Sequence, residues 1–197
     1  WGQQDGLGYP VDRWQPGDLL VQWHDIPVPA GAPPVDYTIE AGGYFRSSGQ
    51  RLPVYQERGT EDRLRLGTVR LTRPAGPQRL PMAIPVEAQF GQAIRLRGYE
   101  VSTTSPAAGD RLQFTLYWPR LAATAADYSV FNHLAAADGR PLAQADGPPA
   151  FGAYPTSAWQ PGDLIRDVHD LVVPADIRPG RYWLLTGLYA APHGPRL

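Results

Sequence analysis

The 197 residues include no Cys, no Lys and a single Met. Without Cys there is no disulfide framework, no thiol nucleophile and no thiolate metal site. The compartment stays open, because cytosolic and envelope proteins can both do without it. Charge is sparse as well: 18 basic residues, all Arg, stand against 19 acidic ones for a formal net charge of −1. The arginines are scattered, so the chain lacks the electrostatic footprint of a nucleic-acid binder. No apolar run approaches the 18 or so residues of a membrane span, and no signal peptide is recognisable. An opening on Trp1 rather than Met is expected of a mature product or an excised piece, with any targeting or anchoring segment lying elsewhere.

Backbone punctuators, in contrast, are abundant. Pro and Gly fill 22 and 21 positions, roughly 22% of the chain where about 12% is usual. Such punctuation leaves little room for helices beyond a few turns and excludes a helical bundle. A hydrophobic content of 43%, with 11% aromatic, still supports a packed core and separates the chain from disordered Pro/Gly-rich segments. The expectation is all-β.

A gapless internal repeat organises the sequence. Residues 9–52 align with 154–197 at an offset of 145, with about 20 of 44 positions identical. Trp14-Gln15-Pro16-Gly17-Asp18-Leu19 recurs as Trp159-Gln160-Pro161-Gly162-Asp163-Leu164, His24-Asp25 as His169-Asp170, and Val28-Pro29-Ala30 as Val173-Pro174-Ala175. Tyr37, Gly42, Tyr44 and Arg51-Leu52 recur as Tyr182, Gly187, Tyr189 and Arg196-Leu197. The counterparts of residues 85–145 would precede residue 1, so the first copy lacks its front half. The second stops where the first continues through Pro53-Val54-Tyr55 and Leu66–Leu71, so it lacks its tail. A longer tandem parent, or strands supplied by another chain, is the expected remedy.

Period-two alternation places the strands. Leu112, Phe114, Leu116 and Trp118 share one face after a turn at Ala108-Gly109-Asp110. Leu20, His24, Ile26 and Val28 share a face in the first copy, as do Ile165, His169, Leu171 and Val173 in the second, and Pro29 or Pro174 ends each strand. Further strands begin at Tyr37 and Tyr182, and Ser48-Gly49 and Asp138-Gly139 read as hairpin turns. Leu121 to Asp127 is the one stretch where a short helix is tolerable. Pro179-Gly180-Arg181-Tyr182, and less fully Pro34-Val35-Asp36-Tyr37, resembles the tyrosine corner of Ig-like and fibronectin type III sandwiches. The expected architecture is tandem antiparallel β-sandwiches of that kind: residues 1–73 as the back half of a first, 74–88 as a Pro-rich linker, and 89–197 as a second, truncated at its C-terminus.

The chemistry-bearing residues admit two readings each. Trp14 and Trp159 suit stacking on a sugar face with Asp18 and Asp163 bonding hydroxyls, or else the Trp plugs a sandwich edge and the Asp closes a turn. His24 and His169 sit on the apolar face of their strands, where a buried neutral His is the commoner use. Neither forms a dyad with the adjacent Asp, because neighbours on a strand point to opposite faces. His133 could meet His169 across the sandwich and form a metal site with Asp167, although the spacing is not characteristic. Asp138, Asp146 and Asp163 lie beside Gly and suit turns, or a calcium ion at a sandwich rim. No serine-hydrolase, zinc-protease or phosphate-loop motif occurs, and no carboxylate pair can be singled out. No catalytic residue, metal or cofactor is assigned.

Gly91–Tyr99, Gly109–Trp118, Asp127–Leu134, Tyr154–Trp159 and Pro179–Tyr182 together resemble a domain of Chloroflexota-type bacterial envelope proteins. In many of those the domain is a C-terminal, extracytoplasmic appendage to polytopic glycosyltransferases of the protein-mannosyltransferase-like class. The resemblance covers nearly the whole chain, with Asn132 standing where an apolar residue is expected. The family's catalytic acids lie in the transferase part, so none transfers to a position here. The resemblance implies a non-catalytic β-sandwich module outside the cytoplasmic membrane, spacing or recognising glycans or proteins. The alternatives are an accessory domain of a membrane glycosyltransferase, or a surface array or filament subunit self-associating through open sheet edges.

Overall fold

A computed structural model describes residues 2–76, 78, 84–192 and 194–197. It is nearly all β, and every strand pair is antiparallel. The strands are β1 (Asp36–Ala41), β2 (Val54–Gln56), β3 (Gly59–Glu61), β4 (Leu64–Arg70), β5 (Ile84–Phe90), β6 (Ile94–Val101), β7 (Arg111–Pro119), β8 (Tyr128–Ala135), β9 (Pro141–Gln144), β10 (Leu164–Val172) and β11 (Trp183–Ala190).

From Ile84 onward the chain forms two sheets, in the orders β10-β7-β6-β5 and β11-β8-β9. One apolar core joins them: Ile94, Leu96, Phe114, Leu116 and Trp118 from the first meet Val130, Leu134 and Leu188 from the second. Alternation dictates this, because every second residue of β7 and β10 faces inward. Leu112, Phe114, Leu116 and Trp118 are buried on β7, and Ile165, Asp167, His169 and Leu171 on β10. Thr115 and Tyr117, on the other face of β7, are buried too, as befits a strand flanked on both sides by β10 and β6. Pro85 is tolerated because β5 is an edge strand whose pairing is interrupted by a bulge between Pro85 and Ala88. The turns at Gly109 and Asp138-Gly139 form as expected, with positive φ at both glycines. Asn132 is fully buried; its side-chain amide donates to the Ala145 carbonyl at 3.1 Å, and Asp146 accepts its backbone N–H at 3.0 Å.

The preceding residues form two small sheets, β1-β4 and β2-β3. The repeat is copied here at the level of single hydrogen bonds. A 3-10 turn at Val11–Arg13 matches one at Thr156–Ala158. The Tyr37 hydroxyl donates to the Pro33 carbonyl at 2.9 Å, and that of Tyr182 to Arg178 at 2.7 Å. The bonds Leu52 N–H to Gly43 and Gly49 N–H to Phe45 recur as Leu197 N–H to Leu188 and Gly194 N–H to Ala190.

Three expectations are corrected. Residues 20–28 carry no strand and are mostly exposed, because among the described residues there is no counterpart of β7 to pair with them. Leu121 to Asp127 is not helical; the short helical turns lie at Val11–Arg13, Pro149–Gly152 and Thr156–Ala158. β5 begins at Ile84, inside the stretch 74–88 read as linker. Residues 77 and 79–83 of that stretch lie outside the described residues. Among the described residues no helix is long and apolar enough to cross a membrane.

Candidate functional site

The second copy of the Trp-Gln-Pro-Gly-Asp motif closes a turn before β10. Gly162 takes φ +89°, and the Asp163 carboxylate accepts the Gln160 N–H at 2.8 Å. Trp159 is fully buried and its indole N–H donates to the Tyr154 carbonyl at 2.9 Å, so it offers no face to a ligand. The Tyr154 hydroxyl lies 2.7 Å from Asp163 and 2.8 Å from the Ala158 carbonyl, sharing its one proton between them. Burial first, and then the bond to Asp163, push this phenol above its ordinary pKa.

Into this turn reaches Arg73, from just beyond β4. Its Nε donates to Asp163 at 3.1 Å and an Nη to the Tyr154 hydroxyl at 2.8 Å. A second contact lies alongside, where the Arg166 N–H on the outer edge of β10 donates to the Gly31 carbonyl at 2.8 Å. Gly31 is buried at φ +83°, its N–H bonded to the Gln78 side chain, and Pro33 is fully buried beside it. The first copy therefore meets the open edge of β10 at Arg166, on the edge that invites strand pairing when bare. Ala32, Pro34, Arg73, Gly162 and Asp163 line the small cleft left at this joint.

In the first copy the same motif stands open. Asp18 accepts the Gln15 N–H at 2.9 Å. Trp14 is 45% exposed where Trp159 is 0%. It borders a shallow depression with Gly8, Tyr9, Leu20, Val21 and Gln22.

The histidines part company with one another. His24, expected on a buried strand face, is exposed in an irregular segment for want of a pairing strand. His169 is buried, lies 2.7 Å from Asp167 and stacks on Phe114. Asp167 is fully buried; it also accepts the Trp118 indole N–H at 3.1 Å and the Ala150 N–H at 2.9 Å. The i, i+2 spacing of Asp167 and His169 puts both on one face, a signal visible in the sequence. The adjacent Asp170 faces outward to Arg111 and Gln113, as the alternation requires. His133 lies on the opposite sheet, 3.4 Å from Asp146 and against the Phe131 ring. Among the described residues no three His, Cys, Asp or Glu side chains are grouped to hold a metal ion, so the grouping of His133 and His169 with Asp167 weighed from the sequence does not form. Asp138 caps its hairpin through the Arg140 N–H.

Sequence reasoning missed Arg73, which bonds to the Asp of the second motif, and Gly31, which bonds to Arg166 on β10. Comparison of the chain with protein-family models, with curated proteins and with solved structures finds no match.

Proposed function

We propose that the chain is a non-catalytic tandem module of Ig-like or fibronectin III-like sandwiches, outside the cytoplasmic membrane, whose main role is to space its neighbours at the cell surface. The observation that carries this reading is the use of the second motif. Asp163, Tyr154 and Trp159, the groups best suited to a sugar, are bonded to the fold and to Arg73 of the other copy. A repeated motif used as a joint suits a spacer. Asp167 and His169 are likewise enclosed in the core. The paired bonds of Tyr37 and Tyr182, each to a carbonyl four residues back, support the tyrosine-corner architecture.

A glycan-recognition reading rests on one observation, the half-exposed Trp14 beside Tyr9 in its depression. Aromatic faces of this kind suit the apolar face of a pyranose.

The two readings separate in a glycan-binding screen of the full chain combined with small-angle scattering. A spacer shows no saturable saccharide binding and one scattering profile, which Arg73→Ala broadens. Saturable binding lost in Trp14→Ala would favour recognition instead, and turnover of a glycosidic substrate would overturn the non-catalytic reading. Protease accessibility on intact source cells tests the location.

A further inference from the structure

We propose that the exposed face of residues 14–28, with the open edge of β1, is a docking surface for a further front half of this same repeat: strands of the β6–β8 type. This inference goes beyond the spacer reading and stands whether or not a glycan binds.

The second copy shows what such a face is for. Residue by residue, Leu20, Ile26 and Val28 correspond to Ile165, Leu171 and Val173. In the second copy Ile165 and Leu171 lie on β10, paired with β7, and all three are within the core. In the first they are partly exposed, with the chain around Gly2 against Ile26: Leu20 is 41% exposed against 1% for Ile165, and Ile26 46% against 1% for Leu171. An apolar stripe of this length, with Trp14 at its head, is the mark of an interaction surface. Its alternation is that of a strand, yet the described residues offer no neighbour to pair with it.

The hydrogen-bonded scaffold around the stripe is already in place. Both copies share the turn before the motif Trp, the Asp-closed turn, the tyrosine bond and the terminal hairpin. The long-range pairing differs. β11 pairs with β8, while residues 188–190 also bond to the returning residues 195–197 on the other side. In the first copy the corresponding return at residues 50–52 bonds to Gly43 and Phe45, just past β1, and β1 itself pairs with β4. The side of β1 that corresponds to the β8 position is the one left open. A β7-type strand for residues 19–28 and a β8-type strand for β1 both belong to one front half, so a single occupant satisfies both vacancies. The second copy fixes its register, since residue 1 corresponds to residue 146.

That register defines the experiment. The full chain is extended by a second copy of residues 84–145 placed directly ahead of residue 1, and amide hydrogen exchange is read over residues 19–28. In the unextended chain these amides should exchange at nearly unprotected rates. In the extended chain they should slow by at least about a hundredfold, and Trp14 emission should shift to the blue. Ile26→Asp in the extended chain should abolish the protection while β6–β11 stay protected, which separates docking from general folding. Unchanged exchange over residues 19–28, with the added segment unprotected, would overturn the proposal. So would protection that arises in the unextended chain at high concentration with dimer formation, which would make a second molecule the occupant.

Discussion

The Arg73 guanidinium donates to the Asp163 carboxylate at 3.1 Å across 90 positions of sequence, joining the chain just beyond β4 to the Asp of the second motif. Asp163 is almost wholly buried, whereas Arg73 is half exposed. Solvent screens the cation, so the pair contributes modestly, while the anion depends on its donors. Arg73→Ala should lower stability by about 1 kcal/mol, and Asp163→Ala by about 2 kcal/mol, because it strands the Gln160 N–H and removes the acceptor of the Arg73 Nε, leaving the Tyr154 hydroxyl its bond to Ala158. A double-mutant cycle by urea denaturation should give a coupling near 1 kcal/mol. Strict additivity would show that the contact holds nothing.

Gly31 is the backbone half of the same joint. A Cβ there would stand 2.7 Å from the Arg166 nitrogen, in a φ +83° conformation that side chains resist. Gly17, at φ +96°, has nothing within 4 Å of such a Cβ. Gly17→Ala should therefore cost only the backbone strain, about 1 kcal/mol. Gly31→Ala should cost more, and should raise hydrogen exchange at Arg166 by breaking the bond that covers the β10 edge. Equal costs, with Arg166 exchange unchanged, would mean that the edge is not held there.

Within the core, Asp167 collects three donors: the Trp118 indole, the Ala150 N–H and the His169 ring. Asp167→Ala leaves all three buried without a partner and should cost at least about 3 kcal/mol. The Trp118 near-ultraviolet signal should lose definition at temperatures where the wild type keeps it. In the first copy Gln22 occupies the corresponding position and is exposed, so Gln22→Ala should change stability by less than about 0.5 kcal/mol. Comparable losses at the two positions would contradict this account of the core.

Much of the fold was legible because it is local. Alternation along β7 and β10, glycine turns at 109 and 139, and the tyrosines at 37 and 182 each carry their signal within a few residues. The repeat, read as sequence, also placed matching turns correctly. It misled where a strand depends on a distant neighbour: residues 20–28 have the alternation of β10 but no β7 to lie against. The same reason hid the joint. Arg73 and Gly31 matter through contacts 90 and 135 positions away, and nothing in their local sequence marks them. For the Trp motif, both a ligand site and a turn were open from residue types alone. Burial of Trp159 and the bonds of Asp163 decide between them in the second copy, since an indole at 0% exposure cannot stack on a sugar.

Tyr37 gives the fold an alkaline limit. Burial pushes its phenol from 10.0 up to about 12, and in the protonated form it donates to the Pro33 carbonyl. The folded chain thus holds this proton more tightly than the unfolded chain does. The resulting stabilisation is complete below pH 10 and is lost as pH rises from 10 toward 12, where the unfolded phenol ionises first. Tyr37→Phe removes the hydroxyl, its bond and its titration together. Urea denaturation at steps from pH 8 to 12 should show the wild type more stable than the variant by about 1 kcal/mol at pH 8. That gap should close as pH approaches 12. A gap that stays constant across the series would show that the bond to Pro33 does not depend on the protonated phenol.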